Sequence, residues 1–446
     1  MINALNLASA RPDPFSTFEF YENLLLRRSS LSGGTRSRVW FLAAFIERDL
    51  IGYLALEEVL ETVLWRRIKR LGFLVAHDAD RPHVVAKGEH LGIVTEMFYD
   101  YLREHRREWD LLELQQQDAA STLYPLPPGV QLAGCWVRYW PNLDNGTIRV
   151  RWATLREYFD ALAPKFRENI ARQMRKLLAS GEVELLTSSD PASTPALLKL
   201  YCNIERRSWK ADTDLTIGGT TERLDYIRAL LDARQPMQAV IQILVLDGVP
   251  IAGLISGAFT GPADKGLYAL HIVFDEHLSA AGPGSAILMM GMRYAIDGYF
   301  AFFNLLSGFG YYKTRWLADM TATRGAQIYR IGGVFFWRRL LGDARRWLSG
   351  HLPSFVQRRL PTARSLDSDA RLRDRPAPAL AGSAPRVTAA ERAVFAKLIA
   401  EARRGTCEWL SPREFVAAMP FSTHNAAESS RAPRYAAISP RPTGDA

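Results

Sequence analysis

The sequence predicts a protein of the α/β (α+β) class, with two folded units followed by a basic tail. Segments typical of strands alternate with segments of helical apolar spacing from about residue 36 to residue 335. Of the 446 residues, 48% are apolar and 11% are aromatic, which suffices for packed cores. At ~100–200 residues per domain, this length predicts two or three domains.

The first predicted unit spans residues 36–150. Its strand segments are rich in β-branched and aromatic residues and are separated by polar turns. These strands are predicted at residues 39–46, 50–57, 70–76, 110–114 and 134–140. A helix is predicted over residues 93–108, because Ile93, Met97 and Tyr101 recur at helical spacing.

The second predicted unit spans residues 151–335. Thr154 and Glu157 have the spacing of a capping box, and a basic amphipathic helix follows over residues 165–178. Further strands and helices alternate after it. Strands are predicted at 183–187, 239–246, 250–258, 265–274, 302–306 and 326–330, helices at 195–209, 222–233 and 282–298, and a loop at 308–316.

The two ends of the chain differ from these units. Residues 1–35 are a lead-in to the first unit. Residues 336–360 contain a basic amphipathic helix, whose apolar stripe over 336–352 predicts either peripheral contact with an anionic membrane or packing on the protein. Residues 361–446 are rich in Ala, Pro, Ser and Arg and are predicted to be mostly disordered, with one isolated helix at 391–404.

The positive charge of the chain lies at its C-terminal end. The chain has 56 Lys and Arg against 47 Asp and Glu, a net charge of +9. Residues 1–150 have a net charge of −2, residues 151–335 of +2 and residues 336–446 of +9. Because the first 335 residues are electrically balanced, we expect no nucleic-acid partner.

The cysteines, the apolar runs and the histidines indicate the cellular compartment and whether a metal is expected. Cys135, Cys202 and Cys407 are widely spaced and odd in number, which fits a reducing cytoplasm. No apolar run reaches the ~18–20 residues of a membrane-spanning helix, and the first 30 residues lack a secretory pattern. The histidines form no tight ligand set, so no metal is expected. Three of them are predicted at the surface, namely His77, His83 and His90.

Several reaction classes have no motif in the sequence. It contains no nucleophile elbow of the Gly-x-Ser-x-Gly type and no Walker loop. The segment Gly282-Pro283-Gly284-Ser285 precedes an apolar helix and follows a strand. Free N–H groups at such a helix start suit a phosphate, although an ordinary turn explains the same residues.

Five segments together resemble one family of acetyltransferases with the GNAT fold. They are the helical region 152–178, Ser208-Trp209-Lys210, the hairpin residues 246–253, Gly282-Pro283-Gly284 and Tyr312-Lys313-Thr314-Arg315-Trp316. The family is typified by the cellulose-biosynthesis protein CelD and is related to the FemAB transferases. The resemblance covers residues 152–330. It implies two tandem GNAT-like units, each with a mixed, mostly antiparallel sheet flanked by helices.

The resemblance also implies a ligand and a place for it. Members of the family transfer an acyl group from acetyl-CoA or another acyl-CoA, often in polysaccharide or envelope assembly. The coenzyme would lie in a split between two central strands. Its pantetheine would pair with the backbone of Ile272, Val273 and Phe274, and its pyrophosphate would contact Gly282, Gly284 and Ser285.

Four residues are candidates for catalysis under this resemblance. His271 stands where the family often has Lys, and histidine can accept a proton near neutral pH. Tyr312 could protonate the leaving thiolate, and Lys313 could neutralise a phosphate or orient the substrate. Glu205 is a candidate base. The alternatives are a structural strand histidine, a packed tyrosine beside a solvent-facing lysine, and a solvated glutamate paired with Arg206 or Arg207.

The remaining assignments concern the acceptor. Trp209, Lys210 and Arg315 are candidates for substrate contact, and the acceptor is expected to be a small molecule or a glycan precursor. Asn304 stands where the family often has Asp, which removes a carboxylate from the predicted site. Two other functions remain open: a FemAB-like aminoacyl transferase that uses charged tRNA, and a GNAT scaffold without catalysis. The expected location is the cytoplasm or the inner face of the membrane.

Overall fold

The computed structural model contains two mixed sheets flanked by helices, which confirms the predicted fold class. It describes residues 1–31, 38–63, 66–75, 79–123, 134–211, 216–231, 236–308, 310–334, 336–337, 340–342, 387–405 and 407–420. Most of the predicted basic helix at 336–352 lies outside the described residues. So do residues 361–386 and 421–446 of the predicted tail.

The described chain contains fifteen strands. They are β1 (Arg38–Ile46), β2 (Asp49–Val63), β3 (Arg66–Phe73), β4 (Val85–Ala86), β5 (Leu111–Gln117), β6 (Cys135–Pro141), β7 (Asn145–Arg149), β8 (Val183–Ser188), β9 (Gln238–Leu246), β10 (Val249–Thr260), β11 (Lys265–Phe274), β12 (Phe302–Ser307), β13 (Asp319–Thr321), β14 (Arg324–Arg330) and β15 (Glu408–Leu410).

The described α-helices lie between these strands and at both ends. They are α1 (Ile2–Leu7), α2 (Phe18–Leu31), α3 (Leu91–Glu104), α4 (Leu155–Ala161), α5 (Pro164–Ala179), α6 (Thr194–Glu205), α7 (Thr221–Leu230), α8 (Pro283–Asp297), α9 (Gly310–Arg315), α10 (Ala389–Arg404) and α11 (Pro412–Ala418). Among the described residues, no helix combines the length and the apolar character needed to cross a membrane.

The two sheets have similar centres. The first has the order β1-β2-β3-β5-β14-β6, with β4 beside β2. The second has the order β13-β7-β12-β11-β10-β9-β8-β15. Each is antiparallel except for one central parallel pair, β3 with β5 and β11 with β12. This repetition is what two tandem GNAT-like units require.

The sheets exchange strands across the expected unit limits of 36–150 and 151–335. The strand β7 precedes residue 150 but pairs with β12 and β13 of the second sheet. The strand β14 follows every strand of the second sheet except β15 in sequence, but it lies between β5 and β6 of the first. Each exchanged strand continues an antiparallel ladder, so each satisfies backbone donors and acceptors that a simple division would leave at a sheet edge.

One hydrophobic core connects the lead-in, the second unit and the tail. It contains Phe15 near the N-terminus, Tyr53 of the first sheet, Leu254 of the second sheet and Phe395 of α10. A second core lies on the other face of the first sheet, under α3. Because neighbouring residues of β2 point to opposite faces, Tyr53 enters the shared core while Leu54 enters the second one.

Two expectations about irregular segments are wrong. The predicted loop at 308–316 contains the short helix α9. The predicted isolated helix at 391–404 is α10, and it packs against α6 of the second unit. The tail also adds β15 to the second sheet, where it pairs with β8. The apolar face of α10 explains this docking, since Phe395, Leu398 and Ile399 are all buried.

The docking of α10 predicts a large effect of one substitution. Phe395 is 1% exposed and lies beneath the Arg207 guanidinium. Phe395→Ala should lower the free energy of unfolding by about 3–5 kcal/mol, because the cavity it leaves cannot fully collapse. Val394 on the same helix is 53% exposed. Val394→Ala should change stability by less than about 0.5 kcal/mol. Equal effects in urea unfolding would show that α10 does not pack this way.

Candidate functional site

The strands β11 and β12 lie side by side at the centre of the second sheet and then separate. Their parallel ladder joins Gly266–Tyr268 to Phe302–Asn304. Both strands are fully described, and beyond these three residue pairs no ladder joins them. The segment of β11 from Ala269 to Phe274 continues to pair with β10 on its other side. It therefore has no ladder on the side that faces β12, and we call the place where the two strands separate the central split.

The backbone of Ile272 and Phe274 faces the central split. The Asp275 N–H donates to the Ile251 carbonyl oxygen of β10 at 2.8 Å. In an antiparallel ladder, alternate residues exchange hydrogen bonds with the same neighbour. Val273 therefore also directs its N–H and C=O toward β10, while Ile272 and Phe274 direct theirs away from it. Of the three residues predicted to pair with pantetheine, Ile272 and Phe274 thus direct their backbone groups away from β10, whereas Val273 directs its own toward β10 and does not fit the prediction.

A β-bulge places His271 on the same face of the sheet as Asn304. The ladder with β10 skips Leu270, so His271 and Tyr268 point to the same face although they are three residues apart. Tyr268 pairs with Asn304 in the parallel ladder, and paired residues share a face. His271 and Asn304 therefore lie on one face, on opposite sides of the central split.

The helix α8 begins against the end of β11. Gly282 precedes it with a φ of +62°, a left-handed conformation that favours glycine. A Cβ on Gly284 would lie 2.8 Å from the Phe274 ring, so this glycine allows the helix start to pack closely on the strand. Ser285 is half-buried in the first turn. The predicted pyrophosphate residues therefore adjoin the strand that borders the split.

A buried polar cluster lies where the first unit meets the end of β12. The Asp80 carboxylate, from the segment between β3 and β4, accepts hydrogen bonds from the Asn145 and Asn304 amides at 2.8–3.1 Å. Ser307 Oγ and Arg81 Nε donate to it at 3.2 and 3.1 Å. Asp80 is 4% exposed. These donors replace lost water, without which a buried carboxylate costs several kcal/mol.

Lys313 is buried beside the polar cluster, so the alternative of a solvent-facing lysine is wrong. It is 1% exposed, and its Nζ donates to the Leu306 carbonyl oxygen at 2.5 Å. Gly146 leaves room for it, since a Cβ there would lie 2.7 Å from Lys313 Cδ. Burial lowers the pKa of Lys313 to about 8, although the Asp80 and Asp144 carboxylates act to raise it.

The neighbours of Lys313 on α9 have different surroundings. Tyr312 is 47% exposed, and the centre of its ring lies 5.9 Å from Lys313 Nζ. Partial burial raises the pKa of Tyr312 to about 12, so it retains its proton at neutral pH. The Arg315 guanidinium lies 4.2 Å from the centre of the Phe166 ring of α5. This contact gives Arg315 a packing role that the sequence did not indicate.

Glu205 has a structural role at the end of α6, and the expectation of a solvated carboxylate is wrong. It is 2% exposed. Its Oε1 and Oε2 accept hydrogen bonds from the Ile217 and Gly218 N–H groups at 2.8 Å each. The suggested partner Arg207 pairs instead with Asp275 at 2.7 Å. Glu205 therefore fixes the segment before α7.

Trp209 and Lys210, which were also predicted to contact the substrate, lie in the turn after α6. Trp209 is 38% exposed, and Lys210 Nζ lies 5.7 Å from the centre of its ring. Burial lowers the pKa of Lys210 to about 8. The pairing of Arg207 with Asp275, the residue after β11, brings this turn to the same end of the strand as the start of α8.

The first sheet has an equivalent split with a cavity. There β3 and β5 also pair in parallel over three residues, Arg70–Gly72 with Leu111–Glu113. A cavity of about 330 Å³ lies where they separate. Its lining combines polar and apolar side chains from Arg70, Phe73, Val75, Ala79, Pro82, Glu113, Gln115 and Gln116. This volume is at the lower end of those that hold small molecules.

Sequence reasoning missed three members of the polar cluster. Asp80 and Asn145, which precede residue 150, and Ser307 of β12 were not predicted, since no motif marks them. His83, predicted at the surface, is half-buried, with Nε2 3.1 Å from the Arg11 carbonyl oxygen and Nδ1 3.4 Å from Asp13 Oδ2. His77 lies outside the described residues. The one available signal was the Asp-Ala-Asp-Arg-Pro run before β4, which is unusually charged for a segment beside a core.

The burial of Lys313 predicts a pH-dependent stability. Its pKa is lower in the folded chain than the usual 10.5, so between about pH 8 and pH 10 the unfolded chain binds more protons. The free energy of unfolding must then rise with pH in this window. Lys313 should contribute about 1–2 kcal/mol of this rise between pH 8 and pH 9.5.

Urea unfolding of Lys313→Met at both pH values measures this contribution. The variant should lose that part of the rise, and the exposed Lys397→Met should retain it. A full rise in Lys313→Met would show that the amine is not buried.

Most of the second unit is similar to a known domain family. Residues 164–314 match the family model described as an acetyltransferase (GNAT) domain. No curated protein matches the sequence. Similar solved structures include FemX, with 10% identity, 73% of this chain and 94% of that chain covered, and a TM-score of 0.48. They also include a tandem GNAT protein from the clavulanic acid biosynthesis pathway, with 10% identity, 73% and 93% covered, and a TM-score of 0.41.

A third similar structure is L-PGS from Bacillus licheniformis, with 11% identity, 71% and 92% covered, and a TM-score of 0.41. The match of residues 164–314 includes the strands that border the central split, the start of α8 and most of α9. The narrower resemblance to the CelD type remains a prediction. Residues 164–314 are therefore similar to the acetyltransferase domains of the GNAT fold.

Proposed function

We propose that the protein transfers an acetyl or longer acyl group from acyl-CoA to an amine or hydroxyl acceptor. The observation that carries this proposal is the central split inside the segment that matches the acetyltransferase model. There the unpaired edge of β11 and the start of α8 adjoin, as a ligand with an extended amide arm and a diphosphate requires. The oxygens of the diphosphate would accept hydrogen bonds from the first turn of α8.

The reaction needs a base that accepts the proton of the acceptor group, an acid that protonates the departing thiolate, and a thioester that is held in place. The acceptor nitrogen or oxygen would attack the thioester carbonyl, forming an N–acyl or O–acyl bond while the C–S bond breaks. His271 is the group we assign to accept the proton of the acceptor, because its face of the split also carries the polar cluster. Tyr312 is the group we assign to protonate the departing thiolate, since it retains its proton at neutral pH.

The acceptor would approach from the side of the first unit. The polar cluster joins that unit to the split, and the cavity between β3 and β5 provides further concave surface with Arg70 and Glu113 at its wall. A polar small molecule or a glycan precursor from polysaccharide or envelope metabolism fits such a surface. This assignment of the acceptor is part of the proposal.

A charge introduced at the start of α8 tests the coenzyme site. Ser285→Glu should weaken acetyl-CoA binding about tenfold or more, because the new carboxylate would repel the diphosphate. It should not destabilise the fold, since glutamate is favourable in the first turn of a helix. Isothermal titration calorimetry measures the affinity, and thermal unfolding checks the fold.

Thr221→Glu is the matched control, because it adds the same charge to the first turn of α7 at an exposed position. It should bind acetyl-CoA as the wild type does. A folded wild type that binds no acetyl-CoA at millimolar concentration would refute the proposal. Binding without turnover across a panel of amines and hydroxyl compounds would indicate a scaffold without catalysis.

A further inference from the structure

A carboxylate from the first unit is hydrogen-bonded to the central strand β12 of the second unit. Asn304 of β12 carries a neutral amide. The Asn304 Nδ2 donates to Asp80 Oδ2 at 3.1 Å. The negative charge is thus present beside residue 304, but it belongs to the segment between β3 and β4.

The surroundings of Asp80 are built to hold a charge. Its side chain is 2% exposed and forms an ion pair with Arg81. Asn145 Nδ2 lies 2.9 and 2.8 Å from its two oxygens, and Ser307 Oγ lies 3.2 Å from Oδ1. These donors compensate the buried carboxylate for the water that it has lost. Two of the donors, Asn304 and Ser307, belong to β12.

The influence of Asp80 extends to Lys313 through two contacts. Asn304 Oδ1 accepts a hydrogen bond from the Leu306 N–H at 2.8 Å, which holds Leu306 at a φ of +58°. A non-glycine residue in this region needs such support. The Leu306 carbonyl oxygen then accepts the hydrogen bond from Lys313 Nζ. The orientation of the Asn304 amide, which Asp80 fixes, therefore sets where Lys313 Nζ is held.

Charge connects the same groups directly. The groups that face Lys313 Nζ are the Asp80 and Asp144 carboxylates, the Leu306 carbonyl and the Tyr312 ring. Both carboxylates favour the ammonium form of Lys313 against the effect of burial. Asp80 differs from Asp144 in being hydrogen-bonded to β12 as well.

We propose that Asp80 of the first unit is a positioning residue for the acyl-transfer site of the second unit, to which it is joined through the amide of Asn304. It orients the Asn304 amide and holds Lys313 charged and in place at the end of β12. The proposal rests on the proposed function for its role in the reaction. The second unit would then be incomplete without the first.

Variants that move the carboxylate from residue 80 to its hydrogen-bond partner, residue 304, test this inference. Asp80→Asn removes the carboxylate, Asn304→Asp adds one on β12, and the double variant Asp80→Asn/Asn304→Asp restores a single carboxylate opposite an amide. The chain has nine lysines, so ¹³C-labelled lysine gives few enough NMR signals for Lys313 to be assigned by its loss in Lys313→Met. The readout is the pH titration of that signal.

Asp80→Asn should lower the pKa of Lys313 by about one unit, because an opposite charge nearby favours the ammonium form. The double variant should recover most of that shift. The exposed Asp100→Asn, which is paired only with the neighbouring Arg103 among the contacts of the described chain, should leave it unchanged. If Asp80→Asn does not fold but the double variant does, the recovery supports the proposal equally. An unmoved Lys313 titration in a folded Asp80→Asn, or no recovery in the double variant, would overturn it.

The titration uses neither acyl-CoA nor turnover, so its outcome is independent of the proposed function. If the wild type binds no acetyl-CoA but Asp80→Asn moves the Lys313 signal, the arrangement between the units stands and the proposed function fails. Where turnover is measurable, a limb of the pH profile of kcat/KM that coincides with the Lys313 titration should move to lower pH in Asp80→Asn and return in the double variant. A purely structural Asp80 would lower the rate without moving that limb.

Discussion

The structure of the second unit depends on how short the parallel pairing between β11 and β12 is. Three residue pairs hold the two strands together, and the β-bulge at Leu270 begins their separation. A longer ladder would satisfy more backbone groups but would close the gap into continuous sheet. The unpaired backbone of Ile272 and Phe274 is thus a cost in stability that creates a binding edge. The first sheet has the same short ladder, and a cavity of about 330 Å³ lies at its end.

Besides unpaired backbone, the split also has buried charges close to it, and burying a charge costs free energy. The hydrogen bonds of the polar cluster offset this cost. Asp80 and Lys313 are almost fully enclosed, although neither forms an ion pair with the other among the described contacts. Each is held by hydrogen bonds to groups of β12 or its neighbours. Such a network is sensitive to the loss of any single member, because a remaining donor or acceptor would be left buried without compensation. Each buried polar group in the cluster therefore needs partners nearby, and residues from both units provide them.

The sequence predicted the positions of the long helices and strands well, but it did not predict which distant segments contact one another. Strong periodicity placed β9, β10, β11 and the amphipathic α5 within a few residues of their bounds. The short strands β7 and β13 were missed, because a few residues carry too little pattern. Within the site, His271 and Lys313 could be named from a resemblance, but Asp80 could not. Its role arises only when the segment between β3 and β4 meets β12, and no local pattern records that contact. The burial of Glu205 and Lys313 likewise depends on packing from distant segments.

The exchange of β7 and β14 between the sheets has a consequence for how the chain is made. The first sheet cannot be completed until β14 leaves the ribosome, after nearly all of the second sheet has been synthesised. Until then β5 and β6 present open edges, which are sites of misassociation for a nascent chain. The two units therefore cannot mature one after the other as independent modules do. The two units therefore share one folding event, and neither can be exchanged for another unit of the same fold without breaking a sheet of its neighbour.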